Sequence, residues 1–458
     1  MIIPYEVGVP GLKRVLILLL FLLPASLLLL NCYSAPSSST RAGSLKYRAF
    51  ISNSVSAGTG FAGIYIVDAA KDVRATTAPI SAGNTPGMMV LTPNRTLTLV
   101  FSGNGTQFSD NQFTIINNAT EAAVAARTLP GVTESFVVSP DSSTAYVAVP
   151  TAPVIGQSPG LIDVISLTSG TKTAEISCPP INPNPPSPPP PPVCVTNDQG
   201  DQGFNPPYRF LSIGNTGTRV LAFSAGSDSV ANVVAVITPS SVGTANPVIT
   251  FVTGTGLDHP VGAYFNSDDT TAYIVNCGAE CGGQQASIQP LDLTTTPPTL
   301  GTAAKVDAAT VALVNNSTMY LAGTPLPAVP CMIQQVPTTC GELTTFDLAS
   351  MQVVGSPVNI NDGYHTNLVL GANGQLFIGG RTCSQAGCLS IYNTQTGAVV
   401  FPPATGDVTG IQPIATRDVV YVIQGGSLGI YDTQTDALQF LQITNLIGDF
   451  VDVKTIDF

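Results

Sequence analysis

Short apolar stretches broken by polar turns recur along most of this chain. One form reads Val138-Ser-Pro-Asp-Ser-Ser-Thr-Ala-Tyr146-Val-Ala-Val149, and a second copy reads Phe265-Asn-Ser-Asp-Asp-Thr-Thr-Ala-Tyr273-Ile-Val. Leu91 to Phe101 and Leu313 to Leu321 follow the same plan, with weaker copies at Ile213–Phe223, Leu370–Ile378 and Ile414–Ile423. Each is a strand, a turn of Asp, Asn, Ser or Gly, and a second strand. Such residues suit the turn because they tolerate unusual backbone angles or bond their own backbone. A second marker follows each first one, an alternating strand ending in Asp or Asn. Examples are Ile64 to Asp68, Phe113 to Asn117, Ile288 to Asp292, Leu343 to Asp347, Leu389 to Asn393 and Leu428 to Asp432. Because these acids recur at one structural position, they read as turn residues and not as catalytic carboxylates.

The anchor positions Phe50, Leu99, Tyr146, Val220, Tyr273, Tyr320, Phe377 and Tyr421 mostly step by ~40–50 residues, the period of a four-stranded propeller blade. The longer step from Tyr146 to Val220 contains a Pro-rich insert at 178–207. The expected fold is all-β, a single β-propeller of eight four-stranded blades over residues 47–458, with seven as the alternative. The first unit lacks a strand before Phe50, and Phe450 to Phe458 reads as that strand. The C-terminus would then complete the N-terminal blade and remove the open edges.

The segments Ser139-Pro-Asp with Ala145-Tyr-Val, and Asp268-Asp with Ala272-Tyr-Ile, resemble the YVTN-type repeat of lactonase-like and surface-layer propellers. The Gly that usually follows the Pro-Asp is absent. The resemblance implies a propeller, and a function that is either binding or lactonase-like hydrolysis at the central channel.

The N-terminus departs from this pattern. Lys13 and Arg14 precede an apolar run from Val15 to Leu30, shorter than the ~20 residues of a spanning helix. Residues 1–31 therefore read as a signal peptide. Leu29-Leu30-Asn31-Cys32 resembles a bacterial lipobox, with Asn31 in place of the usual small residue. Cys32 would be lipidated and 32–46 would be a flexible tether; cleavage after Ser34 is the alternative. The protein would then be an outer-membrane or cell-surface lipoprotein, or else periplasmic or secreted.

Nine cysteines fit this picture once Cys32 is set aside. The rest fall into near neighbours, Cys178 with Cys194, Cys277 with Cys281, Cys331 with Cys340 and Cys383 with Cys388, and an oxidising compartment favours disulfides. Their spacing does not match zinc knuckles, so no metal is expected. All four pairs map to one rim of the propeller, which makes that rim the expected binding surface.

Composition narrows the chemistry. A net charge of −12 excludes ordinary nucleic-acid binding. With no Trp, the docking motifs of quinone-cofactor propellers and Trp-based sugar stacking are missing. No Walker loop, HExxH or GxSxG occurs, and Asn197 to Asp201 has calcium-type oxygens without a full EF-hand pattern. No cofactor is expected. The two histidines, His259 beside Asp258 and His365, both lie just before inner strands, so all three are candidates at the channel mouth. The expected role is an envelope binding or scaffold module, monomeric, with a protein partner and a lipid link to the membrane; a lactonase-like enzyme is the alternative. Deleting residues 448–458 is expected to lower the melting temperature sharply; an unchanged melting curve would contradict closure by this segment.

Overall fold

The computed structural model describes residues 45–458 except 46, 55–60, 104–109, 151–159, 177–192, 197–201, 206, 225–231, 245–247, 334, 385–386, 416, 441–442, 444–445 and 458. The signal peptide, Cys32, all of the tether but Leu45, Cys178 and the polyproline run lie outside the described residues.

The second strand of each unit has an apolar centre and is buried at most positions, as a strand covered on both faces must be. Arg48–Ser54, Leu97–Ser102, Thr144–Val149, Val220–Phe223, Thr271–Asn276, Thr318–Gly323, Gln375–Arg381 and Val419–Gln424 are those strands, and every anchor residue lies in one. Alternate side chains go to opposite sides. Leu99 and Phe101 pack toward blade 3, whereas Val100 packs toward blade 2's other neighbour, blade 1. The result is eight separate apolar clusters, one at each interface between neighbouring blades.

The blades are antiparallel meanders arranged as a ring, an eight-bladed β-propeller. The innermost strands of blades 2 to 8 are Pro86–Leu91, Ser135–Val138, Phe210–Ile213, Pro260–Phe265, Val311–Asn315, Tyr364–Leu370 and Val408–Pro413. Each meets the next. The innermost strand of blade 1 is Asp449–Thr455, paired with Arg48–Ser54 in the register Ala49↔Thr455 to Ser54↔Asp449. The ring is thus closed by the C-terminus.

Charged groups hold this junction. Arg48 Nε and the Asp457 carboxylate lie 2.7 Å apart, and Arg48 Nη1 is 2.7 Å from Glu121 of blade 2. The Arg48 side chain is only 10% exposed, so the pairs escape most of the solvent screening that makes surface ion pairs weak. Hydrogen bonding to Asp457 raises the Arg48 pKa above its ordinary value, against the cost of burial. Asp452, on the closing strand, accepts the Met89 amide of blade 2 at 2.9 Å. On the other side, Arg417 of blade 8 grips Asp72 of blade 1 through two nitrogens.

Two regions depart from the simple meander. Val193–Thr196 and Gln202–Asn205 form an additional hairpin inside the insert. Phe204 and Tyr208 then pack edge to face at 4.8 Å in the cluster between blades 3 and 4. In blade 6 the third strand, Val336–Asp347, runs past the blade, and its first part pairs with Val329–Ile333.

Replacing Arg48 with Ala strands two carboxylates, so the folded state is expected to lose about 2–4 kcal/mol. Urea denaturation of the purified protein measures this; a midpoint equal to wild type would contradict the clamp.

Candidate functional site

Since alternate connections emerge at opposite ends, the propeller has two unlike faces. Tight turns between first and second, and third and fourth, strands form one. The loops between second and third strands, together with the connections between blades, form the other.

On the turn face the recurring acids are occupied with backbone. Asp292 accepts the Thr294 amide at 2.8 Å and its hydroxyl at 2.6 Å. Asp347 takes the Ser350 amide and hydroxyl, and Asn117, Asn393 and Asp432 cap their own turns in the same way. These bonds hold the Asp292 and Asp347 carboxyls below their ordinary range. Asp269 reaches across to blade 4, accepting the amides of Asn215 at 2.8 Å and Thr216 at 2.7 Å. The reading of these acids as turn residues holds, and Asp269 adds a bond between blades.

The loop face carries the bridges. Cys277–Cys281, Cys331–Cys340 and Cys383–Cys388 are bonded, with Cα separations of 5.7, 5.8 and 5.6 Å. Two join residues between second and third strands, and Cys331–Cys340 joins such a segment to the extended start of blade 6's third strand, all on one face as expected. The Cys178–Cys194 pairing and the Asn197–Asp201 loop fall on residues or side chains outside those described. Asp362 links two bridged loops, accepting the Thr339 hydroxyl at 3.1 Å and the Ser384 amide at 3.0 Å.

Asp258 and His259 lie where blade 5 begins. Asp258 Oδ1 is 2.9 Å from His259 Nδ1, while its Oδ2 accepts the amides of Gln284 at 2.8 Å and Gln285 at 2.7 Å. Burial would raise the Asp258 pKa, but these hydrogen bonds outweigh it and the carboxyl sits below its ordinary value. The backbone carbonyls of the pair accept the amides of Gly278 and Cys277. The pair therefore fixes the Cys277–Cys281 loop against the start of the inner strand.

His365 is placed differently. Its ring lies between blades 6 and 7, with Nε2 2.9 Å from the Asn361 carbonyl. A Cβ on Gly341 would come within 2.6 Å of its Cε1, so glycine makes room for the ring. Burial pushes its pKa down to about 4. It is neutral at physiological pH, which leaves Nε2–H to donate to Asn361. The structure does not bring its ring together with the Asp258–His259 pair.

Sequence reasoning missed Glu280 and Tyr364. Glu280 sits on the one-turn helix Gly278–Cys281 and accepts the Thr324 amide of blade 6 at 2.7 Å. Burial pushes its pKa up to about 7. Tyr364 opens blade 7; burial, then the charges of Glu280 and Glu134, push its hydroxyl up to about 12, with Arg209 opposing. Glu134 and Arg209 immediately precede the inner strands of blades 3 and 4 and pair at 3.4 Å. Tyr364 of blade 7 thus feels charges from blades 3, 4 and 5 at the loop face. The available signal was position: Glu134, Arg209 and His259 each stand just before an inner strand, and Tyr364 is the first residue of one.

No family model and no curated protein matches the sequence. Solved structures do share the fold. A dihydro-heme d1 dehydrogenase, NirN, in complex with DHE aligns with a TM-score of 0.59 and 11% identity, over 92% of this chain and 78% of that one. A functionally unknown protein from Desulfotomaculum acetoxidans aligns at 0.50 and 12%, over 90% and 99%. The periplasmic gluconolactonase PpgL of Pseudomonas aeruginosa aligns at 0.46 and 12%, over 89% and 98%. Likeness at such identity shows a shared fold and nothing finer. The chain is an eight-bladed β-propeller of the all-β class. Among the described residues no helix is long and apolar enough to cross a membrane.

Glu280 ionises near pH 7 when folded and near its ordinary 4.5 when unfolded. The folded state holds the proton more tightly, so wild-type stability falls as pH rises from about 4.5 through 7. Glu280→Gln keeps the acceptor for Thr324 without the charge. It is expected to match wild type at pH 4.5 and to exceed it by about 3 kcal/mol at pH 8. Parallel denaturation curves at both pH values check this, and an equal offset at both would contradict it.

Proposed function

We propose that this propeller is an exported, monomeric binding module that engages a protein partner through its loop face. One observation carries the reading, the sorting of exposed large apolar side chains. Phe61, Val132, Leu326, Met332, Val336 and Ile447 lie on the loop face, while Val73, Val124, Val248, Val353, Val354 and Val400 lie on or beside outermost strands. Of these twelve, Val248 alone stands in a turn-face connection, between the third and fourth strands of blade 4. Exposed apolar groups gathered on one face mark an interaction surface. Bridged loops on a rigid scaffold suit that role, because little order must be gained on binding.

The N-terminal signal and the disulfides support export, and Cys32 supports a lipid tether to the outer membrane or cell surface. Tyr47 joins the propeller at the turn face, where its carbonyl accepts the Ala69 amide. A tether leading from there would present the loop face away from the membrane. The lactonase-like alternative has less behind it: His259 is engaged by Asp258 and His365 by the Asn361 carbonyl, and neither is joined to a nucleophile among the described residues.

Photo-crosslinking amino acids at Phe61, Met332 and Ile447 are expected to give discrete protein adducts in intact cells, with none from Gln395 or Thr435 on the turn face. Adducts confined to the turn-face positions would overturn the assignment.

A further inference from the structure

We infer that the blade 6 ribbon is the docking element for a polypeptide segment whose apolar side chains are flanked by Lys or Arg. This rests on the loop face being the binding face and names the chemistry of its partner.

The ribbon is built for contact. Its two strands, Val329–Ile333 and the first part of Val336–Asp347, are tied by Cys331–Cys340. Along Val329–Ile333 burial alternates, with Val329, Cys331 and Ile333 turned inward and Pro330 and Met332 exposed. Met332 pairs with Pro337, so the outward side is an apolar strip of Pro330, Met332 and Pro337. Met332 is 61% exposed; Val336, paired with Ile333 on the other side of the ribbon, is 48% exposed, and Leu326, three residues before Val329, is 53% exposed. Because the ribbon is cross-linked, presenting this strip costs little conformational entropy. Methionine adapts to varied apolar partners. Proline on each strand withholds an N–H, which disfavours recruitment of a further strand. The partner therefore docks on side chains.

The surroundings set its charge. The loop-face segments of blades 5 to 8 carry Asp258, Glu280, Asp307, Glu342, Asp362 and Asp407 against Lys305 and Arg381. Several lie at the ribbon itself. Asp362 accepts the ribbon's Thr339 hydroxyl. Glu342 follows the ribbon on the same strand and feels Asp307, with burial the larger cause of its raised pKa. Glu280 is bonded to Thr324, two residues before Leu326. An acidic field around an apolar strip selects cationic partners and rejects anionic ones. The same field repels an anionic lipid surface, which argues for a protein over a membrane as the occupant.

The test is fluorescence polarisation of the purified protein with labelled peptides sharing one apolar core, flanked by Lys/Arg, by Ser or by Asp/Glu. Vesicles of phosphatidylcholine with and without phosphatidylglycerol form a separate arm. The Lys/Arg peptides are expected to bind at least about tenfold more tightly than the Asp/Glu set, with affinity falling as salt rises. Met332→Ser with Val336→Ser, both exposed positions, should reduce that affinity at least about tenfold with an unchanged melting curve. Tighter binding of the Ser or Asp/Glu peptides that still needs Met332 and Val336 would overturn the cationic partner while leaving the binding face standing. Peptide binding indifferent to the double substitution, no peptide binding, or vesicle binding that depends on Met332 would overturn the proposal outright.

Discussion

The pairing of Asp449–Thr455 with Arg48–Ser54 is the constraint on which the rest of the molecule depends. In each of the other seven blades, the four strands of the meander come from one stretch of chain. Blade 1 alone needs both ends, and its closing strand also touches the inner strands of blades 2 and 8. Without it, the apolar sides of blades 1, 2 and 8 would lose their partners near the axis. The junction is also held by paired charges. Arg48 holds Asp457 and Glu121, Arg417 holds Asp72, and Asp452 caps a blade 2 amide.

A closed ring has two ends, and this one uses them differently. At the turn face, Asp and Asn side chains are committed to backbone amides of their own turn or of the neighbouring blade. At the loop face, three disulfides brace loops of unequal length, and exposed apolar side chains and unbalanced carboxylates accumulate there. Stability and recognition are thus separated by face. The core of the ring lies in the blade interfaces, away from the loop face.

Much of this was legible in the sequence because it is periodic. The anchor residues marked second strands, which must be apolar on both sides, and the terminal Asp or Asn marked turns with a defined hydrogen-bonding need. The closing strand was legible as a missing element at one end and a surplus one at the other. What escaped is aperiodic. The extension of Val336–Asp347 beyond blade 6 looks in sequence like an ordinary disulfide loop. The insert read as a stiff proline segment, yet Val193–Asn205 adds a hairpin and Phe204 and Tyr208 join the core. His365 was expected before its inner strand, as His259 is, but it lies within Tyr364–Leu370, where side chains alternate and Gly341 admits its ring between blades. Glu280 gave no signal because its burial depends on Thr324 of the next blade.

Hydrogen exchange of backbone amides tests the central claim most directly. If the terminal pairing locks the ring, the amides of Ala49–Asn53 and Phe450–Val453 exchange only by global unfolding. Their protection then equals that of the Val220–Phe223 and Thr271–Asn276 strands on the far side. Faster exchange of the terminal strands, with blades 4 and 5 still protected, would show that the ring opens there without unfolding and would contradict the account.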